Sequence, residues 1–262
     1  MHKLLVFVGA ALLAASLPAG AITYGQPDGN GHPNVGAIVA EYDVAGRKDL
    51  FCSGTLISPT VFLTAAHCTS YLEANGLQAW VTFDSEYTSR SKIYAGTMHT
   101  NPGYNFAQDD PGDIAVIVLD RPVRGITPAS LPSAGMLDRM AADGSLHQGS
   151  RFTAVGYGVH QVQVGGGPYG FPYDNLRWVA VSEFNSLNPA WLRLSQVGPK
   201  GDGGTCYGDS GGPNFLGAGA SETPIVAGIT VTGDALCLAT NVTYRLDTPA
   251  ARAFLSQFVT LP

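Results

Sequence analysis

The sequence TCYGDSGGPNF, residues 205–215, surrounds Ser210 with three glycines, an aspartate and a proline. Glycine permits backbone angles and close approaches that a side chain forbids. Gly208, Gly211 and Gly212 therefore predict a tight turn that exposes the Ser210 hydroxyl. A serine hydroxyl is a weak nucleophile until a base takes its proton, and that base needs a third group to orient it. A reactive serine here requires a histidine and a carboxylate elsewhere in the chain.

The six histidines all precede Ser210. Residues 208–212 also match G-x-S-x-G, the nucleophile turn of α/β-hydrolases, but that fold places its histidine after the serine. Chain order and the lack of alternating strands and helices disfavour it. His67 stands out because it ends an apolar run, in LTAAHC, beside Cys68. We interpret the others in the body of the chain as structural or solvated residues: His32, His99, His147 and His160.

The carboxylate candidates lie in QDDPGDIAVIVLD, residues 108–120. Asp113 stands at the start of a predicted strand, so it can be buried with that strand and face an imidazole. Adjacent acids usually lie on solvated loops, and this is our prediction for Asp109 and Asp110.

Three motifs, TAAHC, DIAV and GDSGGP, occur in this order and resemble the signatures of chymotrypsin-like (trypsin-family) serine proteases. The separations of 46 residues from His67 to Asp113 and 97 from Asp113 to Ser210 are also similar to the family's. The resemblance extends from about Ile22 to the terminal helix. It implies an all-β fold of two packed six-stranded antiparallel β-barrels with a C-terminal helix.

The resemblance also implies roles for individual residues. Ser210 would attack the scissile carbonyl, His67 would act as general base and then acid, and Asp113 would orient the imidazole. The backbone N–H groups of Gly208 and Ser210 would form the oxyanion hole. The chain would then be a secreted serine endopeptidase that acts on protein or peptide substrates.

The first 21 residues predict a secretory signal peptide, with a basic start, an apolar run from Leu4 to Leu17 and a cleavage site after Ala21. The segment ITYG that follows, residues 22–25, resembles the mature start of the family. In the family this terminal ammonium pairs with the residue that corresponds to Asp209. The resemblance thus implies an activation pair of Ile22 and Asp209, with an unusual start and another partner for Asp209 as the alternative.

The sequence indicates the residues of the specificity pocket less clearly than the catalytic residues. The resemblance places its floor at Gly204, where enzymes that cut after Arg or Lys usually carry an aspartate. Gly204 and Thr205 favour an uncharged pocket, although Asp202 or Asp234 could still project into it. The usual S-W-G segment of the family is replaced near Val231, Thr232 and Gly233. We also assign Gly233 to the pocket.

Four cysteines allow three disulfide pairings. Each of the local pairings, Cys52 with Cys68 and Cys206 with Cys237, would staple the chain next to one of the motifs. The sequence contains no C-x-x-C or clustered Cys/His spacing, which disfavours a metal site. We therefore predict neither a metal nor another cofactor.

Short apolar runs between turn residues predict β-strands, at residues 35–40, 54–66, 77–83, 113–120, 151–159 and 224–232. We expect one barrel over about 22–125, a Pro-rich linker at 121–135 and a second barrel over about 136–247. A helix is predicted at about 248–258, with Thr248 as N-cap and a packing face of Ala250, Phe254 and Phe258 on the last strands.

Composition excludes some partners. The chain has 45% hydrophobic and 13% charged residues, which is typical of a folded domain. A net charge of −6 with no basic block makes nucleic acid a poor partner. We expect a monomeric extracellular or periplasmic protein without a membrane span in its mature part. A catalytically silent homologue that acts as a binding protein, and a narrowly specific processing enzyme, are the alternatives.

Overall fold

The computed structural model describes residues 22–105, 107, 109–159, 162–163, 169–170 and 173–262. The predicted signal peptide lies outside these ranges. The strands of the described chain are β1 Gln26–Pro27, β2 Val35–Ala40, β3 Asp49–Ser58, β4 Val61–Thr64, β5 Trp80–Thr82, β6 Ile93–Thr100, β7 Ala115–Leu119, β8 Arg151–Gly156, β9 Val162–Gln163, β10 Tyr169–Gly170, β11 Trp178–Leu187, β12 Trp191–Ser195, β13 Pro213–Leu216, β14 Val226–Gly233 and β15 Thr240–Arg245. The helices are α1 Ala66–Ala74, α2 Met136–Ala142 and α3 Pro249–Leu255, with 3₁₀ turns at Gly198–Lys200 and Gly219–Ser221.

The first barrel is closed by six antiparallel strands in the order β2-β3-β4-β7-β6-β5, with β5 pairing back to β2. The apolar run 54–66 forms two strands and the start of α1, because the chain turns at Pro59 and Thr60. Aromatic rings fill the interior, and Phe83 makes edge contacts with Phe62 and Tyr94 at centroid distances of 5.8 Å.

The second barrel has the order β11-β12-β15-β14-β13-β8 and is closed by pairing of β8 with β11. Strand β1 adds to its outer edge, where Gln26 pairs with Val179. A segment near the start of the described chain is thereby attached to the C-terminal half. The two closed barrels and the C-terminal helix confirm the fold class expected from the sequence.

Helix α3 begins at the predicted cap, where the Thr248 hydroxyl accepts the N–H of Ala251 at 3.3 Å. The predicted packing face is partly wrong. Ala250 is exposed, whereas Ala251, Phe254 and Leu255 are buried. Beyond the helix, the Phe258 ring contacts His99 of the first barrel at 5.1 Å, so the C-terminal segment does not pack on the last strands alone.

Polar contacts join the barrels across their packed faces. The buried Arg177 guanidinium, which precedes β11, donates to the carbonyl oxygens of Val35 (3.0 Å) and Phe83 (3.1 Å) in the first half. The buried Tyr157 hydroxyl donates to the carbonyl of Asp84 at 2.8 Å. The largest apolar cluster also contains residues of both barrels. Within the described ranges, every helix is too short or too polar to cross a membrane.

Candidate active site

His67 and Asp113 meet at one end of the first barrel. His67 lies in the first turn of α1, directly after β4, and Asp113 precedes β7, the strand that pairs with β4. Asp113 accepts two hydrogen bonds from His67, at 2.8 Å from Nδ1 to Oδ2 and 2.9 Å from the backbone N–H to Oδ1. The Asp113 side chain is 5% exposed and that of His67 is 30% exposed. This geometry leaves Nε2 as the ring nitrogen that can face the cleft.

A disulfide supports the His67 imidazole. Cys52 in β3 is joined to Cys68, the residue after His67. The sulfur atoms and a ring nitrogen of His67 all lie within 4.8 Å of one another. This is the one such group of potential metal ligands among the described residues, but oxidation of both thiols leaves it without a thiolate.

Ser210 lies on a turn that is held from both barrels. Its carbonyl accepts the N–H of Ser53 in β3 at 2.9 Å, and the N–H of Gly211 donates to the carbonyl of Thr230 at 2.7 Å. Gly211 has a φ of +79°, and a Cβ there would lie 2.6 Å from the Ser53 carbonyl oxygen. Glycine is therefore required for the turn to approach the first barrel.

The backbone N–H groups of Gly208 and Ser210 lie in the turn that carries Ser210. Within the described ranges, neither donates to a protein acceptor. Gly208 has a φ of +93°, and a Cβ there would collide with the Tyr173 hydroxyl and lie 3.0 Å from Cα of Gly158. In the same part of the chain, the Ser210 hydroxyl makes no hydrogen bond to His67, a contact that often tightens only when substrate is bound.

Asp209 is fully buried beneath this turn. Its carboxylate accepts the N–H groups of Gly158 (2.8 Å) and Cys206 (2.9 Å). Burial outweighs these two donors and raises the pKa of Asp209 to about 7. Ile22 is also fully buried, in a small cluster with Trp178 and Ala180. Because Ile22 is joined to residue 21 by a peptide bond in this chain, it has no ammonium group that could pair with Asp209.

A cavity of about 260 Å³ opens beside Ser210. Its wall includes the Cys206–Cys237 disulfide and the end of β14. The predicted pocket residues Thr205 and Gly233 line it, as does Asp234, whereas Gly204 lies outside the lining.

The two acids left open by the sequence have different positions. Asp202 is buried, accepts Nη1 of Arg151 at 2.7 Å and Oγ of Ser195 at 2.7 Å, and does not line the cavity. Asp234 accepts three backbone N–H groups from residues 238–240 at 2.8–3.0 Å. Burial opposes ionisation of Asp234, but these donors hold its pKa below the ordinary value.

Two features near the site were not predicted. A second cavity, of about 300 Å³, lies on the Asp113 side and is lined by Tyr104, Trp191 and Val231 among others. The buried Gln196 side chain lies against Gly204. Neither Trp191 nor Gln196 belongs to a recognisable motif, and only their pairing partners in the fold bring them to the site.

Comparison with known proteins shows which families and proteins the chain is similar to. The sequence model of the trypsin family matches residues 29–253. Curated relatives include glucanase inhibitor protein 3 of Phytophthora sojae (strain P6497), 30% identical over 63% of this chain and 61% of that protein. Trypsin of Phaedon cochleariae is 31% identical over 65% of this chain and 66% of its own length. Human granzyme M is 33% identical over 64% of this chain and 65% of its own length.

These alignments span 61–66% of the length of the three relatives. The family match is broader and covers both barrels, including His67, Asp113 and Ser210. Together with the two closed six-stranded barrels, it establishes that the chain belongs to the trypsin family of chymotrypsin-like serine proteases.

Proposed function

We propose that the chain is a serine endopeptidase in which Ser210, His67 and Asp113 form the catalytic triad. The observation that carries this proposal is the pair of hydrogen bonds from His67 to Asp113, which fixes both the ring and the backbone of the base. The Ser210 turn, held from both barrels, supports it.

The geometry suggests the following steps. With Nδ1–H donated to Asp113, His67 accepts the Ser210 proton at Nε2 as Oγ attacks the peptide carbonyl. The N–H groups of Gly208 and Ser210 stabilise the oxyanion. His67 then protonates the leaving amine, and a water molecule activated by the same ring hydrolyses the acyl-enzyme.

We further propose that residues 22–262 form the mature peptidase domain, released to the extracellular space or periplasm when residues 1–21 are removed. The new Ile22 ammonium would pair with Asp209, whose burial without a cation is costly. Two disulfides in the chain are compatible with an oxidising compartment. The protein would act as a monomer and without a cofactor.

The primary pocket has an uncharged floor in this proposal. Gly204 provides no side chain, and the carboxylate of Asp202 is used by Arg151 and Ser195. Asp234 remains on the wall, with its oxygens turned to the backbone of its own loop. Strict specificity for Arg or Lys is therefore disfavoured.

A second candidate function is binding without catalysis. Three curated relatives are named glucanase inhibitor proteins. Such a protein would use the same cleft or its rim to hold a partner.

Cleavage of a mixed peptide library by the purified protein distinguishes the two. The peptidase proposal predicts cleavage that is lost in Ser210→Ala and in His67→Ala, while both variants keep the wild-type melting temperature within a few degrees. Absence of cleavage by a folded protein that begins at Ile22 would favour the binding function.

A further inference from the structure

A buried amide lies next to the cavity beside Ser210. Gln196 follows β12, and it is fully buried. Its Nε2 atom lies 3.5 Å from Oδ1 of Asp234, which lines the cavity. On its other side the Gln196 side chain lies against Gly204, the neighbour of the cavity-lining Thr205. Gln196 thus packs behind the cavity wall, between the wall residue Asp234 and Gly204.

Gln196 also takes the space that a side chain at position 204 would need. A Cβ built on Gly204 would lie 2.5 Å from Cβ of Gln196 and 3.0 Å from its Cδ. The Gln196 Cβ cannot move away alone, because the Gln196 backbone N–H is held by the carbonyl of Ala239 at 3.1 Å. Position 204 must therefore remain glycine, and Oε1 of Gln196 would collide with a Cβ at that position.

The Gln196 carbonyl oxygen lacks a partner. Oε1 is buried, and no group of the described chain donates to it. A buried polar atom without a hydrogen bond costs about 1–3 kcal/mol. The neighbouring carboxylates are already engaged, Asp202 by Arg151 and Ser195 and Asp234 by backbone N–H groups. Oε1 is therefore a buried acceptor without a partner among the described residues, close to the wall residue Asp234.

We infer that Gln196 determines specificity, because its Oε1 accepts a hydrogen bond from a substrate side chain that ends in an N–H or O–H group. The side chain concerned is that of P1, the residue on the amino side of the scissile bond. The inference rests on the proposed function, since the occupant is a peptide bound across Ser210. Donor-tipped side chains should be preferred to apolar ones of similar size.

Peptide binding to the Ser210→Ala protein tests the inference apart from catalysis. Three peptide pairs differ only at P1, with glutamine against methionine, tyrosine against phenylalanine, and lysine against norleucine. Fluorescence anisotropy should give a Kd about tenfold lower for the donor-bearing member of each pair. In Ser210→Ala/Gln196→Met, where the side chain keeps a similar volume but loses the acceptor, the ratio should fall to near one.

Gln257→Met is the matched control, since Gln257 is an exposed residue just after α3. It should leave the ratio unchanged. Equal Kd values within each pair, no binding of any peptide, or a preference that survives Gln196→Met would each overturn the inference. If Gln196→Met does not fold, the pairs measured on Ser210→Ala alone decide. If the Ser210→Ala protein prefers the donor-bearing peptides but the wild-type protein cleaves none of them, the proposed peptidase activity is wrong and this inference stands.

Discussion

Asp113 holds His67 at two points, the ring and the backbone N–H. One carboxylate therefore fixes the tautomer and the position of the imidazole at the same time. The low exposure of Asp113, 5% of its side chain, keeps water from competing for these bonds. The orientation of the proposed base thus depends on a single buried side chain.

Asp113→Asn should separate orientation from stability. An asparagine has one carbonyl oxygen, so its NH₂ group faces either the ring or the backbone N–H of His67. When it faces the ring, Nδ1 becomes an acceptor and Nε2 carries the proton, which prevents His67 from accepting the Ser210 proton. We expect kcat/KM for peptide cleavage to fall by roughly 10⁴ with little change in melting temperature. A loss of less than tenfold would contradict this role.

The raised pKa of Asp209 predicts that the stability of the chain depends differently on pH before and after removal of residues 1–21. Its pKa of about 7 lies above the ordinary value of 3.8, so the folded unprocessed chain holds this proton longer than the unfolded chain does. Its stability should therefore fall as pH rises from about 4 to about 7. A chain beginning at Ile22 should lack this decrease, because the terminal ammonium pairs with the carboxylate.

Melting temperatures of both forms at pH 5 and pH 8 measure this difference. The processed form should gain relative to the unprocessed form at pH 8. Asp209→Asn should remove most of the difference between the two forms. Parallel pH profiles for both forms would refute the proposed pairing of Ile22 with Asp209.

At the scale of elements, a charged cluster links the turn before β2 to the second barrel. Buried Asp28 accepts Nε of Arg177 at 2.8 Å and also pairs with Nδ1 of His32. Nε2 of His32 lies 2.8 Å from Glu222, and its ring stacks on Phe215 of β13 at 5.5 Å. Burial lowers the pKa of His32, but Asp28 and Glu222 outweigh it and raise the pKa to about 9.

His32→Gln should reveal the contribution of this cluster. The folded pKa of about 9 exceeds the unfolded value of about 6.5, so the stabilisation is fully present below pH 6.5 and is lost as pH rises to about 9. Urea unfolding should show the wild type more stable than His32→Gln at pH 6, by roughly 2 kcal/mol. At pH 10 the difference should be small. An equal difference at both pH values would mean that the charge of His32 does not contribute.

Sequence patterns predicted the strands better than the helices. The strand predicted at residues 35–40 is observed as β2. All six of its residues are buried, so its apolar run was a clear signal in the sequence. Helices α1 and α2 were not predicted, since neither has a side-chain N-cap. Helix α2 depends instead on a distant residue, with the N–H of Leu137 donating to Oδ2 of Asp247 at 2.8 Å. Such a long-range contact leaves no local signal in the sequence.

The whole molecule assembles the site from both barrels. His67 and Asp113 belong to the first, Ser210 belongs to the second, and the Ser53–Ser210 hydrogen bond crosses between them. Three motifs were enough to predict the fold and to nominate these residues. The position of Gln196 could not be predicted, because this residue lies against Gly204 only through the closure of the second barrel. Residue types near a motif therefore indicated the proposed chemistry but not the specificity.

The most direct test of the peptidase proposal is intact-protein mass spectrometry after incubation with a fluorophosphonate. This reagent reacts with a serine that is activated by a base and placed beside an oxyanion hole. The wild type should gain one adduct, located at Ser210 by peptide mapping, on a chain that begins at Ile22. His67→Ala should gain none. A folded chain that begins at Ile22 and remains unlabelled would contradict the proposed triad and favour the binding function.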